Sequence, residues 1–257
     1  MNPAQHPPEP MELAPGIVHV WQFPLDAPAG QLRDLSETLS ADERERARAF
    51  RFPVHRNRYI VARGLLRAIL ARYTGEAPAA LAFAYNPFGK PSLAHGGRGV
   101  RCNPEPDLAV FRFNISHCDD LFLCAVSRGR EVGIDVERVR YDLDVSSLAG
   151  PFFSREESDA LQRAASPERE RLFFRYWTRR EAYGKAIGTG LSAPVPNVSP
   201  AAAEIGNGLI FNLPLELDYA AALALDGREP VEIQRVSAPG KATTQPRVRA
   251  SPLRLSS

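Results

Sequence analysis

At 257 residues the chain has room for one large domain or two of roughly 100 residues each. Its 44% hydrophobic and 24% charged residues are ordinary for a globular protein, and a net charge of +2 with no block of like sign argues against a nucleic-acid surface. Three cysteines without CxxC spacing, no apolar run near the ~20 residues of a membrane span, and a proline-rich start unlike a signal peptide predict a soluble, cytoplasmic protein with reduced thiols and no membrane partner.

Residues 1–14 read as a disordered leader. Ile17 to Phe23 reads as a strand, and Ser40 with Glu43 forms a capping box that opens a helix over 41–49. The charged run Asp42 to Arg48 reads as the solvated face of that helix. From Val54 to Tyr73 apolar residues recur at helical spacing, and Gly75 suits the stop. A strand over 81–85 leads into a turn at Asn86-Pro-Phe-Gly. Three further strands are expected at 111–116, 122–127 and 131–138. Ser154 with Glu157 caps a helix to about Ala164, and Ser166-Pro167 opens a long helix to Ile187, with the proline in its first position and Gly188 at its end. Weaker strands follow near 209–213 and 219–225, and 238–257 reads as a disordered basic tail. Strand, helices and strands occur twice. The fold class is therefore α+β: a pseudo-twofold pair of similar halves, 15–127 and 128–237, each with an antiparallel sheet packed on helices.

Three segments could carry chemistry. In Gly133-Ile-Asp-Val-Glu137, strand alternation puts Asp135 and Glu137 on one face while Ile134 and Val136 enter the core. Two adjacent carboxylates suit a shared hard cation, magnesium or manganese; the same alternation also describes a strand with one solvated polar face. In the long helix, Glu181 and Lys185 stand one turn apart and could form an ordinary ion pair. Gly184 within that helix costs about 1 kcal/mol relative to alanine and points to a close neighbour. In Phe113-Asn-Ile-Ser-His117, His117 at a strand end could donate to a phosphate or cap the turn. Lys90 sits at the tip of the Asn86 turn, and Arg58 and Arg63 on the second helix are candidate anion contacts; each also reads as a solvated surface residue.

Taken in order, FGKP, FNISH, GIDVE and W-x-x-x-EA-x-x-K resemble the large single-chain 4′-phosphopantetheinyl transferases, of the type that activates surfactin synthetase. The segment Ser40 to Arg67 resembles that family's N-terminal helices, and the likeness spans roughly residues 15–240. The resemblance implies two similar α/β halves with coenzyme A in the cleft, and transfer of its phosphopantetheine arm to a serine of an apo acyl or peptidyl carrier protein by a monomer. It implies a magnesium site at Asp135, Glu137 and Glu181, with Glu181 also the general base and Lys185 on the pyrophosphate. Ser116, His117 and Lys90 then lie beside the nucleotide, and Arg58 and Arg63 lie in the helix that holds the 3′-phosphate. Three departures stand out: Arg180 where lysine is usual before the helix glutamate, Cys118 where serine is common, and a short 192–218 stretch. The competing readings are a magnesium-dependent pyrophosphatase using the same carboxylates, and a basic RNA-binding module.

Overall fold

The computed structural model describes residues 6, 8–94, 111–149, 152–190, 203–216, 218–236 and 248–250. In chain order the elements are β1 (Ile17–Pro24), α1 (Ala29–Thr38), α2 (Ala41–Arg48), α3 (Pro53–Thr74), β2 (Phe83–Tyr85), β3 (Pro91–Leu93), β4 (Phe111–Cys118), β5 (Leu121–Arg128) and β6 (Val132–Arg138). Then come α4 (Val145–Ala149), α5 (Arg155–Arg163), α6 (Glu168–Ile187), β7 (Glu204–Ile205), β8 (Gly208–Asn212), β9 (Tyr219–Asp226), β10 (Val231–Val236) and β11 (Val248–Ala250). No helix among the described residues is long and apolar enough to cross a membrane.

The architecture is α+β, with two main sheets. One has the order β11-β10-β1-β5-β4 and the other β6-β9-β8-β7; β2 and β3 form a separate ribbon. Alternation along the strands sorts their side chains into layers. On β5, Phe122, Cys124 and Val126 join Leu66 and Leu70 of α3 in one core, while Leu123 and Ala125 point the other way. There they meet Ile134, Val136, Leu223 and Leu225 of the second sheet, so the two sheets share a core between them. Beyond the second sheet lies α6, with Ala182 and Ala186 packed on Ala222 and Ala224 of β9.

Several elements exceed the sequence reading. α1 carries little apolar signal: its N-cap is Pro28 without a side-chain cap bond, and its buried residues are Leu35 and Thr38. Tertiary contact holds it, because Gly64 of α3 lies directly under the Leu35 side chain. β10 alternates Val231 and Ile233 inward, and it runs parallel to β1 in register Ile17↔Glu232. A strand from the end of the chain therefore completes the sheet begun by its first strand. Within the expected leader, Leu13 is buried and Met11 N–H donates to Arg72 O at 2.7 Å. Of the expected tail only 248–250 lies among the described residues, where it pairs with β10; of the short 192–218 stretch, 192–202 and 217 lie outside them. Pro167 stands at the N-cap of α6 and not in its first turn, so the helix starts at Glu168.

Candidate active site

α6 lies against the face of β6 that carries Asp135 and Glu137, and one glycine permits it. A Cβ added at Gly133 would meet Ala182 O at 2.0 Å and Ala186 N at 2.3 Å, so the helix backbone rests on the strand backbone. Gly184 behaves similarly from the helix side, where a Cβ would meet Gly190 O at 2.4 Å. That close approach is the neighbour the helix glycine pointed to. Gly188 ends the helix in the left-handed region at φ +78°, a conformation side chains disfavour.

This contact turns two linear motifs into one constellation. Lys185 Nζ donates to Asp135 Oδ1 at 2.6 Å, and Ser116 Oγ on β4 donates to the same oxygen at 2.9 Å. Asp135 is buried, and its second oxygen, Oδ2, has no hydrogen-bond partner. Lys185 therefore engages the strand carboxylate, and the expected ion pair within the helix does not form at bonding distance. Glu181 is pushed above the usual carboxylate range by burial and then by the Asp135 charge, partly offset by Lys185. Glu137 is raised in the same way, by burial first and by Asp135 and Glu181 next, while a bond from the Cys118 thiol and the Lys185 ammonium oppose the shift. Three carboxylates thus sense one another across the strand–helix contact.

The donor set of this corner is all oxygen, which suits a hard divalent cation. Asp135 Oδ2, a buried acceptor without a donor, fits that chemistry. Among the described residues no three Asp, Glu, His or Cys side chains converge on one point as a complete metal cage, so a cation there needs oxygens from a ligand or water as well.

A cleft of about 350 Å³ opens from this corner, lined among others by Arg63, Tyr85, Lys90, Glu181, Lys185 and Gly190. Arg63 is no solvated surface arginine. It is buried, Nε donates to Glu43 Oε1 at 2.8 Å, and the guanidinium also reaches the Tyr85 hydroxyl and covers the Phe83 ring. Glu43, read as part of a solvated helix face, is buried between Arg63 and Arg67. The capping position aims it inward: Ser40 N–H donates to its Oε2 at 3.0 Å, and both arginines hold its carboxyl below the ordinary range against the opposing effect of burial.

Lys90 is likewise no free tip. Its Nζ donates to Glu131 Oε2 at 2.6 Å and Ala186 O at 2.8 Å, and Asn86 Nδ2 donates to Gly188 O at 2.8 Å. The turn of the first half is therefore fastened to the end of α6. His117 is accessible at the edge of β4; the atoms packed round its ring, and then the Lys185 ammonium, hold its pKa below the usual imidazole value. Arg58 stands apart from the cleft lining and binds Asp26 through Nε at 2.9 Å and Nη2 at 3.0 Å. Arg180 faces away from the site altogether. It is buried, pairs with Glu157 and lies over the Phe153 ring, so it joins α6 to α5. Trp177 is partly buried and stacks on Phe173.

Sequence reasoning missed Gly133 as a contact point and Tyr85 as a lining residue. The first had a signal: a glycine inside an otherwise β-branched strand marks a close approach of backbone.

Both halves of the chain match known families. Residues 131–230 match the 4′-phosphopantetheinyl transferase superfamily, and residues 27–128 match the family described as 4′-phosphopantetheinyl transferase, N-terminal. The 4′-phosphopantetheinyl transferase HetI of Nostoc is 44% identical over 175 residues, 68% of this chain and 70% of that protein. A 4′-phosphopantetheinyl transferase of Bacillus subtilis is 28% identical over 211 residues, 82% of each chain, and the Sfp enzyme of Bacillus subtilis strain 168 is 28% identical over 162 residues, 63% of this chain and 65% of that protein. With matches across both sheets, and with the β6–α6 contact lying inside the superfamily match, this chain belongs to the 4′-phosphopantetheinyl transferase family.

Proposed function

We propose that the protein moves the 4′-phosphopantetheine arm of coenzyme A onto a serine of an apo acyl or peptidyl carrier protein, releasing 3′,5′-ADP. The observation that carries this reading is the apposition of α6 and β6, which brings Glu181 and Lys185 onto Asp135 and Glu137 beside a cleft with basic walls. The cleft suits an elongated polyanion. Lys185 and Lys90 face the opening from the α6 side, Arg63 from α3, and His117 flanks the strand end. These groups would orient the pyrophosphate and 3′-phosphate, and the Tyr85 and Phe88 rings offer exposed apolar surface.

In the reaction, the carrier serine oxygen bonds to the phosphorus bearing pantetheine, and the bond from that phosphorus to the ADP oxygen breaks. Glu181 accepts the serine proton. Burial and then the Asp135 charge raise its pKa, which makes it a stronger base than an ordinary glutamate. Lys185 supplies positive charge where the leaving oxygen gains negative charge. Asp135, Glu137 and Glu181 would hold a magnesium ion, with manganese able to substitute, and such an ion neutralises charge on the pyrophosphate. A monomeric state accords with a site made within one chain, and we place the protein in the cytoplasm without nucleic-acid or membrane partners; its halves, 15–127 and 128–237, share one strand, since β10 pairs with β1.

The test is intact-mass measurement of an apo carrier protein after incubation with this protein, coenzyme A and magnesium. The expected outcome is the gain of one phosphopantetheine, absent with a chelator. No gain on several acyl and peptidyl carriers would overturn the reading, and hydrolysis of coenzyme A without a carrier would replace it with a pyrophosphatase.

A further inference from the structure

The two main sheets end on β4 and β6, and these edges lie side by side without a backbone ladder between them. Unpaired edge groups that are buried must find partners elsewhere. Here three alternate side chains of β4 take that role. Asn114 Oδ1 accepts from Ile134 N–H at 2.9 Å, Ser116 Oγ accepts from Val136 N–H at 3.3 Å, and Cys118 Sγ accepts from Arg138 N–H at 3.3 Å. Each residue on β4 serves the residue twenty positions later on β6, so the spacing advances by two on both strands. Period-two alternation makes this possible: the same pleat that turns Phe113 toward α3 turns Asn114 and Ser116 toward the β6 edge.

We propose that Asn114, Ser116 and Cys118 are positioning residues, a side-chain suture that sets the register of β6 and so the placement of Asp135 and Glu137 against α6. The inference rests on the transferase reading for its catalytic consequence, and on the hydrogen bonds alone for its structural one. Asp135 and Glu137 alternate with Ile134, Val136 and Arg138, so every carboxylate of the strand lies between two sutured amides. Two rungs also touch the carboxylates themselves. Ser116 Oγ donates to Asp135 Oδ1, and the Cys118 thiol lies 3.7 Å from Glu137 Oε2.

Two measurements test this. Amide exchange of the protein without metal or substrate reads the suture directly. Asn114→Ala should speed exchange at Ile134 by about 10-fold or more, leaving β5 and α3 unchanged. Cys118→Ala should do the same at Arg138, and Cys118→Ser, which keeps an acceptor, should keep the protection. Steady-state transfer reads the consequence. In Asn114→Ala the magnesium concentration for half-maximal rate should rise about 10-fold or more, and by more than the KM for coenzyme A, whose cleft Asn114 also lines. Unchanged exchange at Ile134 and Arg138 would overturn the suture, and faster exchange throughout the molecule would reduce it to general stability. An unchanged magnesium requirement despite faster local exchange would overturn the positioning role. If wild-type protein shows no transfer at all, the transferase reading fails while the exchange result still decides the suture.

Discussion

Gly133→Ala is the most informative single perturbation of this fold. The new methyl carbon would sit 2.0 Å from Ala182 O, 2.3 Å from Ala186 N and 2.9 Å from Lys185 C, whereas ordinary contact begins near 3.4 Å. All three obstacles are backbone of one helix, so no side chain can rotate aside. α6 must retreat by roughly 1 Å or more, or β6 must bend away from it. Either movement pulls Lys185 Nζ off Asp135 Oδ1, a contact of 2.6 Å with little slack. Overpacking of this kind costs about 1–3 kcal/mol, which in a chain this size lowers the melting temperature on the order of 5 °C. Misplacing catalytic groups by ~1 Å costs about 100-fold in rate. Gly30→Ala is the control, because a Cβ there meets nothing within 4 Å on exposed α1. Thermal melting and carrier modification followed by intact mass would be measured on both variants. Activity should fall far more in Gly133→Ala than its modest loss of stability explains, and Gly30→Ala should keep parental activity and melt at or slightly above the parent. If Gly133→Ala transfers and melts like the parent, α6 does not rest on β6 and the site derived from that contact is wrong.

Asp135→Ala should lower transfer by more than ~100-fold while the melting temperature stays near that of the parent, since its main partners are the partly exposed Lys185, whose ammonium can turn to water, and a serine hydroxyl; normal turnover at saturating magnesium would refute the assignment. Glu157→Gln leaves the buried Arg180 guanidinium without its carboxylate and should cost about 3–5 kcal/mol by chemical denaturation, whereas a loss confined to the rate would show that Arg180 serves the site and not the α5–α6 joint. Glu181 has a raised pKa, so turnover should rise with pH through a window above the ordinary glutamate value. The sign for stability is opposite: an acid whose folded pKa exceeds its unfolded one contributes stability at low pH that is lost as pH rises through the folded value. Glu181→Gln should therefore melt above the parent at neutral pH and match it in acid; the reverse pattern would refute the burial of that carboxyl.

Much of the local structure was legible in the chain itself. Capping boxes at Ser40 and Ser154, the apolar spacing of 54–73 and the alternation of 131–138 each encode an element through contacts among near neighbours, and each forms as expected. The candidate residues Asp135, Glu137, Glu181 and Lys185 could be picked out because their spacing on a strand or helix already places them on a common face. Elements that depend on distant partners were invisible. α1 has a weak apolar stripe and exists because α3 offers Gly64, and β10 belongs beside β1 because the first sheet needs a strand there. The same limit governs the site. Whether Glu43 meets water or two arginines, whether Lys185 pairs along its helix or across to Asp135, and whether Arg180 meets a ligand or Glu157 are questions of what lies opposite a side chain. Spacing determines which face a residue occupies, through the periods of the backbone. Only the packed tertiary structure decides what that face meets, and hence whether a charge is solvated, paired or left free for chemistry.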